Sequence, residues 1–148
     1  GSDGANALIV KFSKVNGAVQ YASQLDQQKA PSTEAVANGD ECYGVAVDVG
    51  SVYCAGKTDG PLGESTSATK YTSADAFILK LKKADGTFES IKQLGNVSER
   101  SDGASSGYEY CEDLALDSSG LFCVGSTTGD LGEQNGGSTD AFIWHVSP

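Results

Sequence analysis

Four cysteines, Cys42, Cys54, Cys111 and Cys123, are the residues of this 148-residue chain whose type and spacing speak most directly of chemistry. An even count at a repeated spacing favours disulfides formed in an oxidising space. The chain is therefore expected outside the cell, at the cell surface or in a periplasm. The spacing within each pair is 12 residues, unlike the short CxxC of zinc sites, and disulfide-bonded sulfurs are not metal-ligating thiolates. No metal and no cofactor are expected. Pairing within each repeat, Cys42 with Cys54 and Cys111 with Cys123, is the natural assignment, with one obstacle. A plain hairpin about Val49-Gly50 sets Cys54 opposite Val45, so Cys42 reaches it only through a bulge or from before the regular ladder.

Other residues with chemical capacity do not assemble into a reaction. Gly103-Ala104-Ser105-Ser106-Gly107 matches the nucleophile-elbow pattern GxSxG, but an elbow needs a strand before it, a helix after it and a histidine within reach. The sole histidine, His145, lies far along the chain in a strand pattern and is expected to face solvent or an interface. Asp59, Asp102, Asp130, Glu109, Glu112 and Asp113 offer oxygens to calcium without the DxDxDG ladder that would make the signal specific. Asn96-Val97-Ser98 is a glycosylation sequon, meaningful in a eukaryotic source. The chain is expected not to be an enzyme, because no titratable residues converge. Positions that differ between otherwise matching repeats are the better candidates for ligand contacts. These are Tyr43 and Lys57 in one copy, Tyr108, Glu112 and Asp113 in the next, and Trp144 near the end.

Composition narrows the partners. A formal charge of -10 and a pI near 4.3 repel phosphate backbones and anionic headgroups, so neither nucleic acid nor membrane insertion is expected. The longest apolar run, Ala7 to Val10, is far short of the roughly 20 residues that span a bilayer. The basic cluster Lys80, Lys82 and Lys83 ends a strand pattern, where solvated lysines protect a sheet edge. The N-terminus has no signal-peptide layout, and any export signal is expected to have been removed.

The elements that must position these residues come from a repeat. Displacing the chain by 69 residues superposes Ala7 to Glu64 on Ala76 to Glu133 without a gap. Ile9 falls on Ile78, Lys11 on Lys80, Gln24-Leu25 on Gln93-Leu94, Asp48 on Asp117, Gly56 on Gly125 and Thr58 on Thr127, and both cysteines of each copy align. A third copy opens at Asp140, where DAFIWHV repeats the DAFILKL of Asp75 to Leu81 and the NALIVKF of Asn6 to Phe12. Residues 1-148 thus form a single repeat domain with units 7-75 and 76-140 and a partial unit 141-146. Period-two alternation marks strands, four to a unit: Tyr43 to Asp48, Ser51 to Gly56, Asp75 to Leu81 and Phe88 to Gly95. It also sets Leu8, Val10, Phe12, Phe77, Leu79, Leu81, Phe142, Trp144 and Val146 on one face, expected to pack against neighbouring units. Asn16-Gly17, Asp48-Val49-Gly50, Asp85-Gly86 and Asp117 to Gly120 carry turn chemistry. The best helical stretch is a single turn over Ser32 to Asn38.

The order DAF-I-x-K-L, a Gly turn, Q-L-G, an A-x-D turn, x-V-Y-x-x-G-x-T and x-L-G resembles the bacterial seven-bladed β-propeller repeat family over nearly the whole chain. The resemblance implies an all-β fold of β-propeller-like blades, each of four antiparallel strands, with Tyr43 to Asp48 and Cys111 to Asp117 innermost and the Q-L-G strands outermost. Nine strands make two blades and one strand over, and a closed ring needs at least four blades, so the ring is incomplete in one chain. A homo-oligomer, with a trimer favoured, is the expected way to close it. The function expected of such a scaffold is a non-enzymatic extracellular recognition or adhesion module for a glycan or a surface protein. The alternative is an assembly module with no ligand beyond its own subunits.

Overall fold

The computed structural model describes residues 6-25, 39-60, 62, 74-95, 107-131 and 135-147. The helical turn expected at Ser32 to Asn38, the sequon at Asn96 to Ser98, Asp102 and the GxSxG loop up to Ser106 lie outside the described residues. The fold is all-β, and the described residues form three antiparallel sheets, none closed into a barrel. β1 (Leu8–Phe12) and β2 (Val19–Gln24) form the first sheet. β3 (Asp40–Val47), β4 (Ser51–Thr58), β5 (Asp75–Lys82) and β6 (Phe88–Leu94) form a four-stranded meander at the centre. β7 (Glu109–Asp117), β8 (Gly120–Thr127) and β9 (Asp140–Val146) form the third. Each 69-residue repeat therefore straddles two sheets.

Turns are set by the residues the repeat preserves. Asp48 Oδ1 accepts from the amides of Gly50 and Ser51, and the aligned Asp117 Oδ1 accepts from those of Ser119 and Gly120. In the other hairpin type, Asn16 Oδ1 accepts from the Ala18 amide and Asp85 Oδ1 from that of Thr87, with Gly17 and Gly86 at φ of 70° and 74°. Side-chain caps and a residue free to take positive φ are what tight turns require. The two hairpins β1-β2 and β5-β6 share one register, down to a bulge between Lys11 and Phe12 in the first and Lys80 and Leu81 in the second.

Packing is two-sided. Phe77, Leu79 and Leu81, with Cys54, meet Ala7, Ile9 and Leu25 of the first sheet. Tyr53, Ala55, Ala76 and Ile78 on the opposite face meet Leu114, Leu121, Cys123 and Val146 of the third, with Phe142 and Trp144 alongside. The single-face expectation holds for Phe77, Leu79 and Leu81 and for the matching face of β9. It fails at the first sheet, where Leu8 and Phe12 are 58% and 57% exposed on the face they share with Val10. The reason is directional stacking: every sheet turns its Phe77-type face toward the preceding sheet, and among the described residues none precedes β1-β2. Ile9, assigned to the opposite face, is the residue that packs inward. Lys80 does not guard an edge either, because β5 lies between β4 and β6. Its ammonium sits 5.7 Å from the Tyr53 ring centroid and 3.7 Å from Glu89, while Lys83 donates to the Asp48 carbonyl.

The edge strands β3 and β7 bring the central and third sheets into close contact. A Cβ on Gly44 would lie 2.8 Å from the Leu114 amide nitrogen, so β3 and β7 approach at a distance only glycine allows.

Candidate functional site

Both disulfides form within their repeat, Cys42 to Cys54 and Cys111 to Cys123, with Cα separations of 6.0 and 5.7 Å. Val45 does stand opposite Cys54, and the ladder slips between Cys42 and Gly44 and again between Cys111 and Asp113. The residue expelled from the ladder at each slip is Tyr43 in β3 and Glu112 in β7. A bulge leaves its extra residue unpaired and re-aims the side chain. The crosslink and two of the candidate ligand residues are therefore one local structure.

Around Tyr43 the structure gathers a polar and aromatic cluster from two sheets. The Tyr43 hydroxyl donates to Glu41 Oε2 at 2.7 Å, and Lys57 Nζ lies 3.0 Å from Glu41 Oε1. The same ammonium stands 5.9 Å from the ring centroid of Tyr110 on β7, and Tyr110 stacks with Tyr108 at 6.2 Å and an interplanar angle of 12°. Tyr43 and Tyr108 are 47% and 46% exposed, so aromatic faces remain open to a ligand. The Tyr43 and Lys57 hydrogen bonds hold the Glu41 carboxyl below the usual carboxylate range. Burial, and then the Glu41 carboxylate, push the Tyr43 phenol up. Burial opposes the charge on Lys57, but the Glu41 hydrogen bond and nearby Asp59 carry its pKa above the ordinary lysine value. Burial also pushes the Tyr110 phenol up, so at neutral pH the cluster is a Lys57-Glu41 ion pair beside the neutral phenols of Tyr43 and Tyr110.

Three of the six sequence candidates meet here: Tyr43, Lys57 and Tyr108. The others do not join them. Glu112 accepts from the Ser126 hydroxyl at 3.0 Å, these two aligning with Tyr43 and Lys57 one sheet on. Asp113 accepts the amide of Leu114. Trp144 lines a cavity of about 300 Å³ with Leu94, Gly95, Leu131 and Phe142, between β6 and β9. Sequence reading missed Glu41 and Tyr110. Tyr108, just before β7, and Tyr110 within it are two residues apart in extended chain, and period two puts them on one face, which is the signal that could have found the second.

The cluster sits where β3 starts and β4 ends. At that end of the central and third sheets, every odd-numbered strand begins with an acid: Asp40, Asp75, Glu109 and Asp140. Thr58 Oγ1 donates to Asp40 at 2.7 Å and accepts the Gly60 amide, and Thr127 repeats the arrangement with Glu109 at 2.9 Å and the Gly129 amide. Gln93 of the Q-L-G motif donates to Asp75 at 2.6 Å and accepts the amide of Leu62. These acids anchor the chain as it leaves the sheets, a structural use of residues that could otherwise be read as metal ligands. Among the described residues, no group of three or more His, Cys, Asp or Glu is placed to hold a metal ion.

Burial raises the Asp75 pKa above the ordinary value of 3.8, against the lowering effect of Gln93. A raised carboxyl pKa is a cost that applies above the folded value and is relieved as pH falls through it. Asp75→Asn keeps an oxygen for Gln93 and removes that cost. The variant is expected to melt at or above the wild-type temperature at pH 7, with the difference closing as pH is lowered toward 4. Thermal melts across that range check it, and a wild type clearly more stable than the variant at pH 7 sinks the assignment.

His145 stacks on Phe122 at 4.5 Å, its Nε2 3.2 Å from the Ser119 carbonyl oxygen, at the turn end of the third sheet. Gly107, the described member of the GxSxG, packs against Gly129 at the other end. Thr127 pairs with Asp140 and Phe122 with His145, five residues apart, so about 17 Å of extended chain lies between the two ends. No protein-family model matches the sequence, and no curated protein matches it.

Proposed function

We propose that this chain is a non-enzymatic recognition module acting outside the cell, on propeller-like blades, with the Tyr43, Tyr108 and Tyr110 cluster as its ligand contact and a glycan as the ligand. The observation that carries this reading is the cluster itself: two half-exposed tyrosines flanking a fixed Lys57-Glu41 pair, on a bulge that a disulfide holds. Tyrosine offers a rigid apolar face to the C-H side of a sugar and a polar edge to its hydroxyls at little cost in side-chain entropy. Paired charges add hydrogen-bonding groups whose positions are already fixed before binding. The two disulfides fit an oxidising compartment.

A glycan array followed by titration calorimetry tests it. Wild type is expected to bind a subset of glycans. Tyr43→Ala is expected to weaken that binding by roughly 30-fold, the effect of losing a residue worth about 2 kcal/mol at a small interface, with little change in melting temperature. Binding that survives Tyr43→Ala and Tyr108→Ala together, or no binding to any glycan, rejects the reading. The second reading, an assembly module whose ligand is another copy of itself, is favoured by a separate observation: the apolar surface exposed at both ends of the stack.

A further inference from the structure

Identical repeat positions differ in burial in a way that marks an absent neighbour. Leu114 on β7 is 7% exposed beneath the central sheet, whereas its equivalent on β3, Val45, is 62% exposed, and Val47 beside it is 51% exposed. Leu114 is covered because β3 and β4 lie over it. Val45 and Val47 would be covered by the same pair of strands one sheet earlier, adjoining the edge of β1 that does not pair with β2. At the other end, β9 pairs with β8 and leaves its outer edge beside two clefts of about 300 Å³ each. One is lined by Leu94 and Trp144 and the other by Lys92 and Val146, so both run between β6 and β9. A fourth strand, related to β9 as β6 is to β5, would fill them.

The two ends are complementary. The first sheet holds strands of the third and fourth types, the third sheet strands of the first, second and third. We propose that copies of this chain assemble through a composite sheet, β7 and β8 of one copy continued by β1 and β2 of the next, with β1 taking the place of β9. Exchange is required because β1 and β9 are the same repeat element and compete for one edge of β8. It substitutes like for like: Leu8, Val10 and Phe12, now facing outward, fall on the positions of Phe142, Trp144 and Val146, which pack on the central sheet. It also adds what the described residues of one copy lack. β2 fills the clefts along β6, and the incoming β7-β8 hairpin covers Val45 and Val47. The interface is continuous with the contacts already made twice within the chain, first sheet on central and central on third. Each copy contributes two complete sheets, so rings of four to eight blades correspond to two to four copies, three being the number expected from the sequence. The charge of -10 per chain opposes association at low salt, so added salt strengthens it. The assembly is independent of the glycan reading.

The register is specific. Val124 pairs with Ile143 now and, in the composite sheet, pairs with Ile9 of another copy. Sedimentation velocity of the wild type at tens of micromolar is expected to give two to four times the 15.2 kDa chain mass. Emission from the one tryptophan, Trp144, is expected to shift to the red as concentration rises and β9 is released. Val45→Asp with Val47→Asp, both exposed in a single copy, is expected to return the mass to one chain with an unchanged circular dichroism spectrum. Ile9→Cys with Val124→Cys is expected to give covalent oligomers on a non-reducing gel. A single-chain mass for the wild type overturns the proposal. So does an oligomer that keeps its mass in the aspartate variant, fails to crosslink, or forms with Trp144 unmoved.

Discussion

Leu79→Asp is expected to leave the chain without its sheets, as a far-ultraviolet circular dichroism spectrum of an unfolded protein and the loss of a cooperative melt. Leu79 is 1% exposed at the middle of β5, paired with Cys54 on one side and Ile91 on the other, and it faces the first sheet. Burying a leucine stabilises by roughly 1.5 to 3 kcal/mol, and that contribution disappears. An unpaired carboxylate in the same place adds several kcal/mol more, lowered only by taking up a proton. The total is comparable with the roughly 5 to 15 kcal/mol that holds a domain of this size. Stacked sheets make the loss general, since the central sheet is the common wall of both cores and, among the described residues of one copy, each outer sheet packs on it alone. Ile143→Asp provides the contrast. Ile143 repeats Ile78, which is 3% exposed, but is itself 72% exposed on the outer face of the third sheet. Its replacement is expected to change stability by about 0.5 kcal/mol or less. Equal losses in the two variants would mean that the stacking direction assigned to the sheets is wrong.

That contrast shows where sequence stops specifying structure. The repeat located the four strands of the central sheet, and the aspartates at Asp48 and Asp85 located its tight turns, because strand period and turn chemistry are local properties. Register was legible in part: the spacing of Cys42 and Cys54 about Val49-Gly50 called for either a bulge or a start before the regular ladder, and the structure has the bulge. Burial was not, because period two tells which residues share a face and not which faces have a neighbour. Ile9, Ile78 and Ile143 carry the same residue at the same repeat position and are half-buried, buried and exposed. The candidate site was half legible for a related reason. Tyr43, Lys57 and Tyr108 stood out as differences between copies, but Glu41 and Tyr110 occupy one repeat position in two copies and act together across two sheets. Comparing one copy with the other aligns such residues and cannot bring them into contact. Of the acids that begin β3, β5, β7 and β9, only Glu109 stood among the candidate calcium oxygens, and the anchoring role of Asp40, Asp75 and Glu109 was hidden because their threonine and glutamine partners lie 18 residues away in sequence.

Removing the two disulfides is expected to be the most damaging change that leaves every strand its pattern. Each closes a loop of about a dozen residues, and restricting the unfolded chain to that extent is worth about 3 kcal/mol. Cys111→Ala with Cys123→Ala is expected to lower the urea midpoint by on the order of 1 to 2 M, taking a slope near 2 kcal/mol per M. Both sulfurs are fully buried in the core between the central and third sheets, so lost packing adds to lost restraint. Cys42→Ala with Cys54→Ala is expected to cost somewhat less in stability, since Cys42 is only partly buried, and more in function. Cys42 is held against Cys54 across the slip that expels Tyr43, and Gly56 opposite it carries no Cβ because one would collide with the Glu41 carbonyl. With the crosslink gone the bulge can relax, and Tyr43 is no longer fixed relative to Glu41 and Lys57. Glycan affinity is then expected to fall in this variant and to persist in the Cys111 and Cys123 pair, both assayed well below their melting temperatures. Reducing agent on the wild type should reproduce the combined loss of stability. An unchanged midpoint after full reduction, verified by thiol counting, would show that the sheets hold without their crosslinks and that the oxidising compartment is not needed for folding.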